Sequence, residues 1–160
     1  MTTSSSPTAK LSALKVILVA GLIAGALDIS YVFVYFKVSD PLPVLRGIAT
    51  GLLGPDARKG GVGTAMIGLA CHFTIALGAA ATFYAASRKL TVLQRWPWLV
   101  GPLYGVAVWL FMNLVVLPLD ANPPKAFPAP NWMPILVAHL TCVGLPIALV
   151  VRRGTKGRAP

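Results

Sequence analysis

Polar residues thin out along this chain in four places, over residues 16–36, 62–86, 96–119 and 132–151. Each run is continuously apolar rather than alternating. About 20 helical residues cross a hydrocarbon core of roughly 30 Å. No water enters that core, so each backbone N–H and C=O must be bonded internally. Unbroken runs satisfy this as helices, whereas barrels need alternating strands. The pattern predicts an all-α integral membrane four-helix bundle, with a transmembrane domain over 16–151. Between the first two runs, "LPVLRGIATGLLG" (42–54) is amphipathic. Leu42, Leu45, Ile48, Ala49, Leu52 and Leu53 share one helical face, and Arg46, Gly47 and Thr50 lie opposite. Thirteen residues are too few to span, so the segment predicts a short interfacial helix in the first outer loop, surface-lying or re-entrant. The other outer loop, "DANPPKAFPAPN" (120–131), is proline-rich and expected to be stiff and extended. Asn131 is placed to cap the fourth helix, and Pro134 falls in its first turn, where proline is tolerated. Residues 1–15 read as a disordered tail and 152–160 as a basic one.

Composition turns these runs into a statement about solvent. The 160 residues are 56% hydrophobic and 11% charged, against roughly 25% charged in an ordinary soluble domain. Too few polar side chains remain to coat a globule, so lipid is the expected solvent. The net charge of +10, from 14 Lys and Arg against 4 Asp, is the positive-inside bias of a membrane protein rather than a nucleic-acid surface. Nine basic residues fall in the two tails and the middle loop, against five in the other two loops. That excess predicts both termini in the cytoplasm. Trp96 and Trp98 would anchor the inner interface, and Tyr35 and Trp132 the outer one. The first apolar run exceeds the roughly 7–15 residues of a signal-peptide core, so it reads as a span. Cys71 and Cys142 both lie in apolar runs and are expected to be free thiols.

Small residues mark where the helices approach each other. Gly21 and Gly25 recur 80 positions later as Gly101 and Gly105, each pair a G-x-x-x-G. His72 and Thr74 recur 67 positions later as His139 and Thr141. The difference between the two offsets, 13, is the length of segment 42–54. The chain thus reads as two tandem helix hairpins, the first carrying an insert. Gly21, Ala24, Gly25 and Asp28 form one stripe, and Thr64, Gly68 and His72 another. Gly68 joins the other four glycines as a helix-packing position, because small residues let a neighbouring helix come close. An exposed stripe of this kind would also serve a homodimer or a larger membrane complex.

Asp28 is the only acidic residue within an apolar run. A carboxylate at mid-membrane costs about 2.5–3.5 kcal/mol on insertion scales, so it is expected to face other helices or water. At a rise of 1.5 Å per residue, Asp28, His72 and His139 lie about 3–4 Å to the outer side of their helix midpoints, and Asn113 about 8 Å. They are expected to form one polar cluster. One reading makes Asp28, His72, Asn113 and His139 interhelical hydrogen-bond partners with a structural or interaction role. A second makes Asp28, His72 and His139 relay groups of a small proton or solute transporter or channel, since a neutral histidine beside a carboxylate exchanges protons near neutral pH. A third places haem between His72 and His139, or zinc among Cys71, His72, His139 and Cys142. Against it, Cys71 and His72 diverge by about 100° on a helix and no CxxC accompanies them. No cofactor is expected. No nucleophile elbow, zinc-protease motif, P-loop or carboxylate pair occurs, so an enzyme is not the expectation.

The stretches "GLLGPDARKGG", "GLACHFTIALGAAATFYAASRKL", "YGVAVWLFMNLVVLPL" and "CVGLPIALVVRR" resemble a family of small bacterial inner-membrane proteins without an assigned activity. The third run, ending in Pro118 and Leu119, is distantly similar to the YagU-type membrane family. The resemblance extends over about residues 20–153. It implies a polytopic helical protein of the bacterial cytoplasmic membrane and brings no catalytic residue with it.

Overall fold

The computed structural model describes residues 12–123, 127 and 130–155. The tails at 1–11 and 156–160 and residues 124–126 and 128–129 of the proline-rich loop lie outside the described residues. Five helices carry the fold: α1 (Ala13–Tyr35), α2 (Leu42–Leu53), α3 (Val62–Lys89), α4 (Pro97–Leu119) and α5 (Trp132–Thr155). A 3₁₀ turn at Pro55–Lys59 joins α2 to α3, and a helical turn at Val92–Arg95 joins α3 to α4. No strand occurs among the described residues.

Helices α1, α3, α4 and α5 are each long and apolar enough to cross a membrane. At most 33% of the apolar window of any of them is buried in the protein. Val34, Leu99 and Leu119 stand 78%, 63% and 81% exposed. So much bare apolar surface marks a multi-pass membrane protein, with hydrocarbon as its solvent.

Several boundaries extend beyond the apolar runs because polar groups secure the ends. The helix begins inside the expected tail, at Ala13, where Ser12 Oγ accepts from the Lys15 amide at 3.3 Å. Helix α5 continues through Thr155, four residues into the expected basic tail. The Thr155 side chain is buried there, 2.8 Å from the Val151 carbonyl. Asn131 does not cap α5: it sits at φ 60° and its side chain makes no capping bond.

Helix α1 packs on both α3 and α5, α4 packs on α5, and α2 packs on α3. The glycine stripes make these contacts. A Cβ at Gly21 would lie 2.7–2.8 Å from Leu77, and one at Gly25 would lie 2.8 Å from the Phe73 ring. In the second hairpin a Cβ at Gly101 would lie 2.8 Å from Leu145 Cα, and one at Gly105 would strike the His139 carbonyl. Gly68 meets the Leu45 backbone, so its role is to seat α2.

Helices α3 and α4 touch at one level, where Tyr104 Oη donates to the Ala79 carbonyl at 2.7 Å. The Tyr104 ring also meets Phe83 edge-on at 4.9 Å. Toward the chain termini the helices close around Val16, Ala20, Ala24, Ala80, Phe83, Ile147, Ala148 and Val151, all 1% exposed or less. Gln94 ties that end: its Nε2 donates to the Ser87 carbonyl at 2.9 Å, and its Oε1 accepts from Thr155 Oγ1 at 3.0 Å. Toward the other end a smaller cluster (Ile29, Leu45 and Ala65) holds α2 against α1 and α3.

Helices α4 and α5 each widen into a π-type turn, at Met112–Val116 and at His139–Gly144. A proline follows each by two residues, Pro118 and Pro146. Proline lacks the N–H that would bond four residues back and its ring crowds that carbonyl. The wider turn rearranges the bonds ahead of it.

Candidate functional site

Between the Tyr104 contact and α2 lies a cavity of about 890 Å³. All five helices line it, and the two widened turns contribute Met112, Val116, His139 and Val143. The cavity therefore opens where α4 and α5 lose regular helical bonding. Most of its wall is aliphatic, with Ile48, Leu52, Ile67, Ile75 and Val108 among the lining residues. A second cleft of about 490 Å³ lies between α3 and α4. It shares Ile75, Ala79, Val108, Met112 and Val116 with the main cavity. The two spaces thus meet along the line where α3 and α4 separate.

Asp28, His72 and His139 all line this cavity. They share a space without bonding to one another. His72 Nε2 lies 2.9 Å from the Gly25 carbonyl, a bond across the α1–α3 seam. His139 Nδ1 lies 2.8 Å from the Ile135 carbonyl in its own helix. A carbonyl only accepts, so each bonded nitrogen carries its ring's hydrogen. Asp28 Oδ1 is buried with no hydrogen-bond partner. Asn113 stands apart: its Nδ2 donates to the Trp109 carbonyl at 2.9 Å, and it does not line the cavity.

Both cysteines are free thiols. Cys71 lines the cavity, while Cys142 Sγ lies 3.5 Å from Thr141 Oγ1. Among the described residues, no group of three or more His, Cys, Asp or Glu side chains is arranged to hold a metal ion.

At the α2 end Arg58 and Asp120 join the lining. Burial pushes the Asp120 carboxyl above its ordinary range. A Cβ at Gly51 would lie 2.8 Å from Asp120 Oδ2, so this glycine lets the end of α4 close over α2. The Ala121 amide donates to the Gly51 carbonyl at 2.9 Å, and Asn122 Nδ2 donates to Thr50 Oγ1 at 3.3 Å. These contacts cover part of the polar face of α2 at its far end. Thr50, expected on the polar face, is buried, while Leu52 and Leu53 are 64% and 49% exposed. The α4 terminus covers the polar face there, so burial follows that contact rather than hydropathy. Arg46, also placed on the polar face, is half-buried and donates from Nη1 to the Gly60 carbonyl at 2.7 Å. Its Nε is buried without a partner.

Neither Arg58 nor Asp120 carries a sign of this role in the sequence, because both lie between apolar runs. The signal for the cavity itself is the pair Pro118 and Pro146. Compared with protein-family models, curated proteins and solved structures, the chain matches none.

Proposed function

We propose that this chain is a small solute-binding and solute-passing protein of the bacterial cytoplasmic membrane, with Asp28 as the polar contact for the bound molecule. In this reading the spans form a four-helix bundle of two tandem hairpins. Helix α2 lies at the outer interface over the cavity. Both termini are cytoplasmic, as the nine-to-five distribution of basic residues favours. The well-packed end near Gln94 then faces the cytoplasm and the cavity faces outward.

The observation that carries the proposal is the buried Oδ1 of Asp28, which lines a large cavity and has no hydrogen-bond partner. A carboxylate kept for structure would be bonded, because an unsatisfied buried polar group costs about 1–3 kcal/mol. Groups that lower stability in this way are retained where a ligand completes them. A structural role has specific support for His72, whose bond to Gly25 joins two helices. A direct proton relay has less support, because no hydrogen bond joins Asp28 to either histidine.

The test is Asp28→Asn in purified protein, with thermal stability and solute accessibility read together. Removing an unpaired charge is expected to leave the melting temperature unchanged or raise it by about 2–4 °C, the shift that 1 kcal/mol gives in a protein of this size. Cys71, the thiol that lines the cavity, is expected to react with N-ethylmaleimide in reconstituted liposomes. A melting temperature that falls in Asp28→Asn, or a Cys71 inert to the maleimide, overturns the proposal.

A further inference from the structure

The polar nitrogens and oxygens that the spanning helices bring to the cavity are free mainly as acceptors. His72 Nε2 and His139 Nδ1 spend their hydrogens on the carbonyls of Gly25 and Ile135. In the neutral ring the remaining nitrogen of each is an acceptor. Thr74, another lining residue, donates its hydroxyl hydrogen to the Ala70 carbonyl at 2.8 Å, which leaves its oxygen as an acceptor. Asp28 Oδ1 is an acceptor without a donor. Among the lining residues, no lysine is present and Arg58 is the only cationic side chain; it lies outside the spanning helices, at the end of the cavity that also holds Asp120. The spanning helices therefore offer a set of acceptors and one carboxylate, flanked by aliphatic walls.

We infer that the ligand is an amphiphilic amine, protonated at its head. This rests on the solute-binding reading above and adds the chemistry of the solute. An ammonium head supplies both the charge that Asp28 lacks and the N–H donors that the surrounding acceptors lack. A charge pair formed away from water is held far more strongly than one at a surface. The apolar part of the molecule occupies the wall of Ile75, Val108, Met112 and Val116, where the cavity meets the cleft between α3 and α4. That cleft gives an aliphatic tail a route from the bilayer. The volume suits the size, since about 300–1,000 Å³ is usual for drug-sized ligands. A fatty acid would set a second carboxylate beside Asp28, and a neutral alcohol would leave the charge unmatched.

The experiment uses the full chain carrying Cys142→Ser, so that Cys71 is the single thiol, reconstituted in phosphatidylcholine liposomes. The rate of Cys71 alkylation by N-ethylmaleimide is measured with dodecylammonium, dodecyltrimethylammonium, dodecanol or dodecanoate at equal membrane mole fraction. Dodecylammonium is expected to slow alkylation by about tenfold, the change given by 1.4 kcal/mol of occupancy. Dodecyltrimethylammonium, which has the charge and no N–H, is expected to protect less. The alcohol and the fatty acid are expected to give no protection. Asp28→Asn is expected to abolish protection by dodecylammonium. Equal protection by the quaternary amine, the alcohol or the fatty acid overturns the inference, as does protection that survives Asp28→Asn. No protection by dodecylammonium also overturns it. In each of these cases solute binding stands if Cys71 reacts and Asp28→Asn keeps its stability, so the two failures are distinguishable.

Discussion

The first hairpin, α1 with α3, and the second, α4 with α5, make the same seam from different atoms. Gly25 and Gly105 are 80 positions apart, and the residues they meet, Phe73 and Leu140, are 67 apart. Beyond that level the second offset becomes 68. Gly21 meets Leu77 and the Ala76 carbonyl, while Gly101 meets Leu145 and the Gly144 carbonyl. The added residue falls within the widened turn His139–Gly144, and a π-type turn accommodates one extra residue in a helix. The new register persists to the end. Ser87 Oγ donates to the Tyr84 carbonyl at 2.8 Å, and Thr155 Oγ1 lies 3.4 Å from the Arg152 carbonyl, both 68 positions on. Gln94 bonds to Ser87 and to Thr155 and so joins matching points of the two hairpins.

The hairpins differ in what they place at the cavity. Asp28 and its counterpart 80 positions later, Val108, both line it. The matching histidines line it too, yet one bonds across a seam and the other within its helix. A shared packing frame thus holds an asymmetric site. The first hairpin supplies the charge and a regular wall, and the second supplies the space, through its two prolines and widened turns.

The largest expected effect separates the two seams. Gly105→Ala puts a methyl against the His139 backbone, whereas Gly25→Ala meets the Phe73 ring, a side chain able to turn aside. Overpacking a core costs about 1–3 kcal/mol and occasionally more, so Gly105→Ala is expected at or above that range and Gly25→Ala near its lower end. Thermal unfolding of the two purified variants checks the order, and equal losses would remove the distinction between backbone and side-chain contact. Next is Gln94→Ala, which removes two bonds at about 0.5–1.5 kcal/mol each. Ser87→Ala at the same end keeps the backbone carbonyl that Gln94 uses and is expected to lose less. A third effect is smaller. His72→Ala loses an interhelical bond worth about 0.6 kcal/mol by membrane double-mutant averages, while His139→Ala is expected to lose less because its bond lies within one helix. If His139→Ala proved the more destabilising, the proposed division between seam and cavity wall would fail. Asp28→Asn completes the series with no loss, or a gain, of stability.

Much of this arrangement was legible in the residues. The glycine stripes gave the seams, because only a missing side chain lets two backbones approach so closely. The offsets 80 and 67 matched the contacts up to Leu140, and the departure beyond it had a visible cause in Pro146. Asp28, His72 and His139 were legible as candidates for one site because helical rise is regular, and all three line the cavity. Their lack of mutual bonds was not, since a difference of a few ångströms in side-chain reach decides between bonding and mere proximity. Asn113 shows the same limit: its side-chain amide donates to the Trp109 carbonyl of its own helix rather than to Asp28 or a histidine. Helix α2 shows it most clearly, because hydropathy placed Thr50 on the polar face, yet the segment after α4 covers it.

By itself the sequence determined the number and placement of the apolar helices long enough to span and the small-residue faces along which they meet. Those are local properties, set by the cost of bringing backbone and charge into hydrocarbon and by the space a side chain occupies. The tertiary structure alone decided that α3 and α4 separate above Tyr104, that the α4 terminus covers Thr50, and that Asp28 faces an open cavity without a partner. Each of these depends on where distant segments stop relative to one another, and no local pattern of residues encodes that distance.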